Sequence, residues 1–224
     1  MILSNSKMWY YYHMLDNYIV YLSYMQNKIS KFFKEQKDYI CCKKGCAKCC
    51  KNAQFPYTEI EFRLLYQGLM RLNPEIQRQV LDKVDLTIID KHRHNITHPD
   101  EKFRYDCPFL INEECSVYNY RGLICRAFGL MSFIPDSDNM PKIPFCAFQG
   151  LNYSNVVDET NSNISEEKFN NLDIEQEPKA YNVDYSRLIS TEYAEKFGFE
   201  FGEAKPLIEW FIQWKDAIIK AFED

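Results

Sequence analysis

The stretch CCKKGCAKCC at residues 41–50 constrains this chain more than any other feature, because it places five cysteines within ten positions. Four more follow further along, at Cys107, Cys115, Cys125 and Cys146. Thiols at this density form disulfides, bind metal or react, and the redox state of the compartment decides which. The first question is therefore where the protein resides.

The first residues, MILSNSKMWYYYHMLDNY, lack the basic region, apolar core and small-residue cleavage site of a secretory signal. His13, Asp16 and Asn17 interrupt the one candidate for a membrane span. We therefore expect a cytoplasmic protein with no membrane span. Disulfides rarely persist in a reducing cytoplasm and nine cysteines is an odd number, so metal ligation explains the thiols better than a disulfide framework.

The spacing within the stretch is C-x3-C-x2-C-C, formed by Cys42, Cys46, Cys49 and Cys50. A C-x2-C step lets two sulfurs curl round one ion, and the small residues Gly45 and Ala47 permit the tight backbone this needs. We expect the adjacent Cys49 and Cys50 to point to different sides. That orientation favours two neighbouring metal positions.

Cys41 has the spacing that fits a ligand set least well. Setting it aside leaves eight candidate metal ligands: Cys42, Cys46, Cys49, Cys50, Cys107, Cys115, Cys125 and Cys146. Eight thiols are enough for two four-sulfur sites, or for one site and a reactive remainder. Sulfur-only coordination is typical of zinc or an iron–sulfur cluster, and the dense spacing in residues 41–50 makes us favour iron–sulfur.

Lysines flank the cysteines at positions 43, 44, 48 and 51. They form either a solvated basic loop or a set of cations that offsets the charge of metal-bound thiolates. The whole chain carries a formal net charge of −5, so no global basic field attracts nucleic acid, and we expect no nucleic-acid partner.

Apolar residues recur in alternating steps of four and three along the N-terminal segment, at Tyr11, Leu15, Tyr18, Leu22, Met25, Ile29 and Phe32. This stripe predicts a long amphipathic helix that packs on the protein's own core or on a partner protein. Thr58 is a predicted helix cap, and Asn73 with Pro74 predicts the start of another helix running toward His94. The apolar face formed by residues 206–222 predicts a C-terminal helix.

No strand pattern of comparable strength is present, so the predicted fold is mainly α, with helices packed around a cysteine-rich metal-binding centre with irregular loops. The predicted segments are an N-terminal amphipathic helix (1–40), a cysteine-cluster metal-binding domain (41–150), an acidic polar loop (151–180) and a C-terminal helical segment that packs on the core (181–224).

Several short motifs extend the pattern beyond residues 41–50. They are Cys107-Pro108-Phe109-Leu110, Cys115-Ser116-Val117-Tyr118 and Arg121-Gly122-Leu123-Ile124-Cys125-Arg126. Together they resemble the YkgJ-like cysteine-cluster proteins, also described as zinc- or iron-chelating CxxCxxCC proteins. The resemblance runs from about residue 41 to residue 146 and implies a metal-chelating domain with eight cysteine ligands. Some members of that family resemble flagellin lysine N-methylases.

One departure from the family pattern lies at Arg121-Gly122, where the family usually has Arg-Pro. Glycine can adopt the backbone angles of proline without enforcing them, so we expect the local geometry to be kept with less rigidity. The spacing of Cys42, Cys46 and Cys49 also occurs in radical SAM enzymes. Lys48 takes the place of their usual aromatic residue, and the repeated βα units they need are not evident.

Three hypotheses about function follow. The leading one is a metal-binding protein with redox or group-transfer activity on an unknown substrate. The alternatives are a structural zinc module that supports a helical protein-interaction surface, and a protein lysine N-methylase-like enzyme that uses S-adenosylmethionine. Other candidates are interpreted as structural: His94 and His98 near a helix C-terminus, and Arg121 and Arg126 beside Cys125.

Overall fold

The computed structural model describes residues 5–43, 45–51, 54–137 and 140–223, with side chains described between residues 13 and 216. About half of the chain is α-helical, which confirms the predicted mainly-α class. The helices are α1 (Asn5–Glu35), α2 (Glu59–Met70), α3 (Pro74–Thr97), α4 (Leu123–Ala127), α5 (Glu166–Asn170), α6 (Tyr185–Leu188), α7 (Thr191–Phe197) and α8 (Leu207–Glu223).

The strands are two or three residues long and pair as antiparallel ribbons. The pairs are β1 (Pro56–Thr58) with β8 (Ala204–Pro206), β2 (Leu110–Ile111) with β3 (Glu114–Cys115), β4 (Ser132–Phe133) with β5 (Pro141–Lys142), and β6 (Val157–Asp158) with β7 (Asn163–Ile164). Short 3₁₀ turns cover Lys37–Tyr39, Tyr118–Tyr120 and Phe145–Gln149.

The chain forms two compact units, each assembled from separate segments. The first unit contains Met1–Tyr18, Gly45–Gly122 and Gly198–Asp224, and the second contains Ile19–Lys44 and Leu123–Phe197. One boundary therefore falls inside α1 and another inside the cysteine-rich stretch.

The helix starts follow from capping chemistry that is visible in the sequence. Thr58 caps α2 in a capping box, in which the Glu61 carboxylate accepts the Thr58 backbone N–H at 2.8 Å. The Asn73 side chain accepts the Glu75 backbone N–H at 2.9 Å, with Pro74 at the first position of α3. Both predicted starts are confirmed.

The apolar stripe of α1 is buried by the protein itself. Leu15, Tyr18, Leu22, Met25 and Ile29 are all buried, whereas Tyr11 lies outside the residues whose side chains are described. At these positions the helix packs against residues of its own chain, and a protein partner for this helix stays a prediction.

Aromatic packing forms the core of the first unit. The ring of Phe62 stacks on Trp210 with centroids 5.7 Å apart and meets Phe211 edge-on at 5.1 Å. The Trp210 indole N–H donates to the Tyr57 carbonyl at 2.8 Å, which joins α8 to β1. The segment that follows the cysteine-rich stretch is thereby tied to the C-terminal helix.

The core of the second unit includes stacked rings of Tyr39 and Tyr153, 5.6 Å apart, with Met131, Val156 and Val157 packed around them. Residues 151–180, expected from composition to form an acidic polar loop, contribute three of these side chains and contain the β6–β7 ribbon and α5. Scattered apolar residues therefore anchor this polar segment.

Within the described residues, every helix is too short or too polar to cross a lipid bilayer.

Candidate metal centre

The part of the cysteine-rich stretch in the first unit is a tight turn. Gly45 has φ +86°, a left-handed conformation that suits glycine. The carbonyl of buried Ala47 accepts the backbone N–H groups of Cys50 at 2.9 Å and Lys51 at 3.1 Å. Gly45 thus supplies a positive φ in this turn, and Ala47 supplies a small side chain that is buried.

This turn brings the thiols of the two adjacent cysteines together. The Sγ atoms of Cys49 and Cys50 are 3.9 Å apart, so the expectation that they point to different sides is wrong. For tetrahedral zinc with Zn–S bonds of about 2.3 Å, the distance between two ligand sulfurs is about 3.8 Å. The observed separation fits two ligands of one tetrahedral ion.

A backbone hydrogen bond joins the turn to a distant part of the sequence. The Cys107 N–H donates to the Cys50 carbonyl at 2.8 Å, and the Leu110 N–H donates to the Cys107 carbonyl at 2.9 Å. Leu110 on β2 pairs with Cys115 on β3, which brings Cys115 back toward Cys107. The backbones of these three cysteine-bearing segments therefore lie next to one another.

The β2–β3 turn itself shows why the chain reverses here. Asn112 and Glu113 have φ values of +50° and +62°, as the two central residues of a tight hairpin turn require. Lys51 forms an ion pair with Glu113 at 2.8 Å, so this flanking lysine holds the hairpin beside the cysteine turn.

The thiols in the first unit have contrasting acidities. Burial raises the pKa of Cys107 to about 12; the charges of Cys115 and Cys49 also raise it, whereas the Lys83 ammonium lowers it. A hydrogen bond with Cys50 lowers the pKa of Cys49 to about 7, and the Arg121 guanidinium contributes in the same direction. A cation is therefore needed for Cys107 to be a thiolate, and a bound metal ion supplies one.

The cations that lower these pKa values come from outside residues 41–50. Lys83 lies on α3 and also donates to the Leu110 carbonyl, and Arg121 stacks over the Tyr118 ring at 3.8 Å. Lys44 falls outside the described residues. Sequence reasoning missed Lys83, since a lysine on the polar side of a helix gives no signal of its own.

Cys46 is half-buried and belongs to the first unit, whereas the other four thiols belong to the second unit. Cys41 and Cys42 are exposed, Cys125 lies on α4, and Cys146 is buried in the 3₁₀ turn Phe145–Gln149. The backbone N–H groups of Cys41 and Cys42 both donate to the Asn152 side-chain oxygen at 2.9 Å. Asn152 gives no signal in the sequence because it lies in a run of polar residues.

In residues 5–43, 45–51, 54–137 and 140–223, no three His, Cys, Asp or Glu side chains form a group that could hold one metal ion as placed. All nine cysteines are in the thiol form. The donor chemistry fits zinc or iron, since cysteine sulfur is a preferred ligand of both metals. The distance that supports this fit is the 3.9 Å between the Sγ atoms of Cys49 and Cys50.

Gly122, which stands where the family usually has proline, has a specific role. Its N–H donates to the Tyr57 hydroxyl at 3.2 Å, a bond that proline cannot make. A Cβ atom at this position would lie 2.8 Å from Tyr57 Cε1 and 3.0 Å from Glu61 Oε1. Glycine therefore allows a close approach between the backbone at position 122 and β1.

The other sequence candidates have structural contacts. His98 follows the end of α3, and its N–H donates to the His94 carbonyl at 2.7 Å, as expected for a helix C-terminus. Arg126 is buried and donates to the Gln26 side chain at 2.7 Å.

Comparison with known proteins agrees with this chemistry. Residues 41–147 match the family profile of the CxxCxxCC proteins, described as "Putative zinc- or iron-chelating domain". The match covers just under half of the chain and confirms the resemblance over those residues, as well as the expected choice of zinc or iron. No curated protein and no solved structure matches the chain.

Proposed function

We propose that this protein binds zinc or iron through Cys42, Cys46, Cys49, Cys50, Cys107, Cys115, Cys125 and Cys146. The observation that carries the proposal is the pairing of Cys49 with Cys50 at 3.9 Å, at a turn that is hydrogen-bonded to Cys107. The adjacent Cys49 and Cys50 have a sulfur separation suited to one ion, and the backbone bond to Cys107 supports the addition of a ligand from a distant segment.

Iron–sulfur is the metal form we favour, because of the dense spacing of the first four ligands. The cations Lys83 and Arg121, which lower the pKa values of Cys107 and Cys49, support any centre that gathers negative sulfur. A cytoplasmic location stays a prediction. Redox or group-transfer activity on a substrate stays a prediction.

The test is anaerobic purification with iron supplied, followed by measurement of iron, sulfide and zinc per chain and a visible spectrum. A brown protein with stoichiometric sulfide supports the cluster. A colourless protein with about two zinc ions supports the alternative of a structural zinc module. A chain that carries neither metal refutes the proposal.

A pair of variants links the metal to the named thiols. Cys50→Ser removes a proposed ligand, and Cys41→Ser removes an exposed thiol outside the proposed set. We expect Cys50→Ser to lose metal and Cys41→Ser to retain the wild-type content. Chelation of the wild-type protein should also reduce its helical circular dichroism, because bare thiolates brought together repel one another.

A further inference from the structure

We propose that Asn152 is a positioning residue for the cysteines of the second unit, and that its side-chain amide fixes the Cys41–Cys42 backbone for metal binding. This inference rests on the proposed function. It assigns a task to a residue that is not itself a ligand and that lies outside residues 41–147.

The amide of Asn152 is fully buried, and both of its ends are used. Its oxygen accepts the N–H groups of Cys41 and Cys42, and its nitrogen donates to the Gly129 carbonyl, all at 2.9 Å. If the amide were turned over, its NH₂ group would face the N–H groups of Cys41 and Cys42, and its oxygen would face the Gly129 carbonyl. The network therefore specifies one orientation of the amide.

These bonds connect three segments, each of which carries a cysteine of the second unit. The first segment contains Cys41 and Cys42. Gly129 follows α4, the helix that carries Cys125, and the Leu151 N–H beside Asn152 donates to the Cys146 carbonyl at 3.1 Å. One side chain thus sets the spacing between backbone segments whose thiols are proposed to bind metal.

Gly129 provides independent support for this arrangement. It has φ +100°, and a Cβ atom there would lie 2.6 Å from the Asn152 side-chain nitrogen. A side chain at position 129 would displace the amide, so the backbone is shaped to receive it.

The exposure of Cys41 and Cys42 explains why such an anchor matters. Both residues are exposed and lie outside helices and strands, so their positions depend on specific bonds rather than on burial. Groups that orient metal ligands typically contribute 10–100-fold, in round terms, to metal affinity. We expect Asn152 to act in this range.

The experiment measures metal loss from the full-length, metal-loaded protein to a competing chelator. Asn152→Leu removes all three hydrogen bonds at similar volume. Gln36→Leu is its control, since Gln36 is also a fully buried amide of the second unit, accepting the Lys179 N–H at 2.8 Å and donating to the Glu177 carbonyl at 3.2 Å. Both variants lose buried hydrogen bonds, but those of Gln36 hold no cysteine.

We expect Asn152→Leu to weaken metal retention about tenfold or more and Gln36→Leu to stay within about twofold of wild type. Equal retention by the two variants would overturn the role of Asn152. A wild-type protein that holds no metal would instead overturn the proposed function, so the two failures are distinguishable.

If Asn152→Leu does not fold, Gly129→Ala provides the test. Its control is Gly150→Ala. Gly150 also has a positive φ, +72°, but a Cβ atom there would meet nothing within 4 Å, so this variant places alanine at a positive φ without displacing a group. Greater metal loss in Gly129→Ala supports the proposal, and equal loss in the two variants refutes it.

Discussion

Substitution of Gly122 by alanine should destabilise the first unit, although it adds a single methyl group. The added Cβ would lie 2.8 Å from Tyr57 Cε1 and 3.0 Å from Glu61 Oε1. Tyr57 is only 3% exposed and Glu61 only 1%, so neither can turn into solvent to make room. Glu61 is held further by its capping bonds to Thr58 at the start of α2.

The magnitude follows from the cost of overpacking. Inserting a methyl group into a well-packed site costs about 1–3 kcal/mol, and we expect about 2 kcal/mol here. In a chain of this size, that loss lowers the melting temperature by about 4–8 °C. Thermal unfolding of the metal-loaded protein followed by circular dichroism measures it.

A double-mutant cycle separates the clash from other effects. In Tyr57→Leu the ring atoms that would meet the new Cβ are absent, so Gly122→Ala should cost at least 1 kcal/mol less in that background, by an order-of-magnitude estimate. Gly122→Ala with a wild-type melting temperature would refute the close-approach argument. An equal cost in both backgrounds would show that Tyr57 is not the obstacle.

Two further substitutions test the fold. Asn73→Ala removes the side chain that accepts the Glu75 N–H and should cost about 1 kcal/mol in urea unfolding, whereas Asn73→Asp keeps the acceptor and should cost little. Phe211→Ala should lower the free energy of unfolding by about 3–5 kcal/mol, because this fully buried ring packs edge-on against Phe62. Phe148→Ala is the control; its ring is 37% exposed, so the loss should be much smaller. Equal losses of unfolding free energy for Phe211→Ala and Phe148→Ala would contradict the assignment of Phe211 to the buried aromatic core.

The long helices could be predicted because their signals are local. A cap such as Asn73 acts within three residues, and the stripe from Leu15 to Ile29 repeats along one helix, so neither depends on knowing the rest of the fold. The ribbons could not be predicted, since strands of two or three residues are too short to show alternation. Their pairing joins segments as distant as Pro56 and Pro206.

The cysteine pattern predicted the chemistry of the site better than its geometry. Thiol spacing suggested metal binding, but the direction of Cys49 and Cys50 depends on the turn at Ala47 and was predicted wrongly. The residues around the thiols were missed for a related reason. Lys83 and Asn152 become relevant through tertiary contacts, and a lysine on a helix or an asparagine in a polar run is ordinary by sequence alone.

The pairing of β1 with β8 also bears on how the protein matures during synthesis. The first unit takes Cys46, Cys49 and Cys50 from an early segment, but Trp210 and the strand that pairs with β1 leave the ribosome much later. Nascent thiols therefore emerge before the unit that encloses them can close. If these thiols bind metal as proposed, the order of segments along the chain would delay metal capture until translation has passed β8, and during this interval the thiols would be exposed to oxidants and to competing ions.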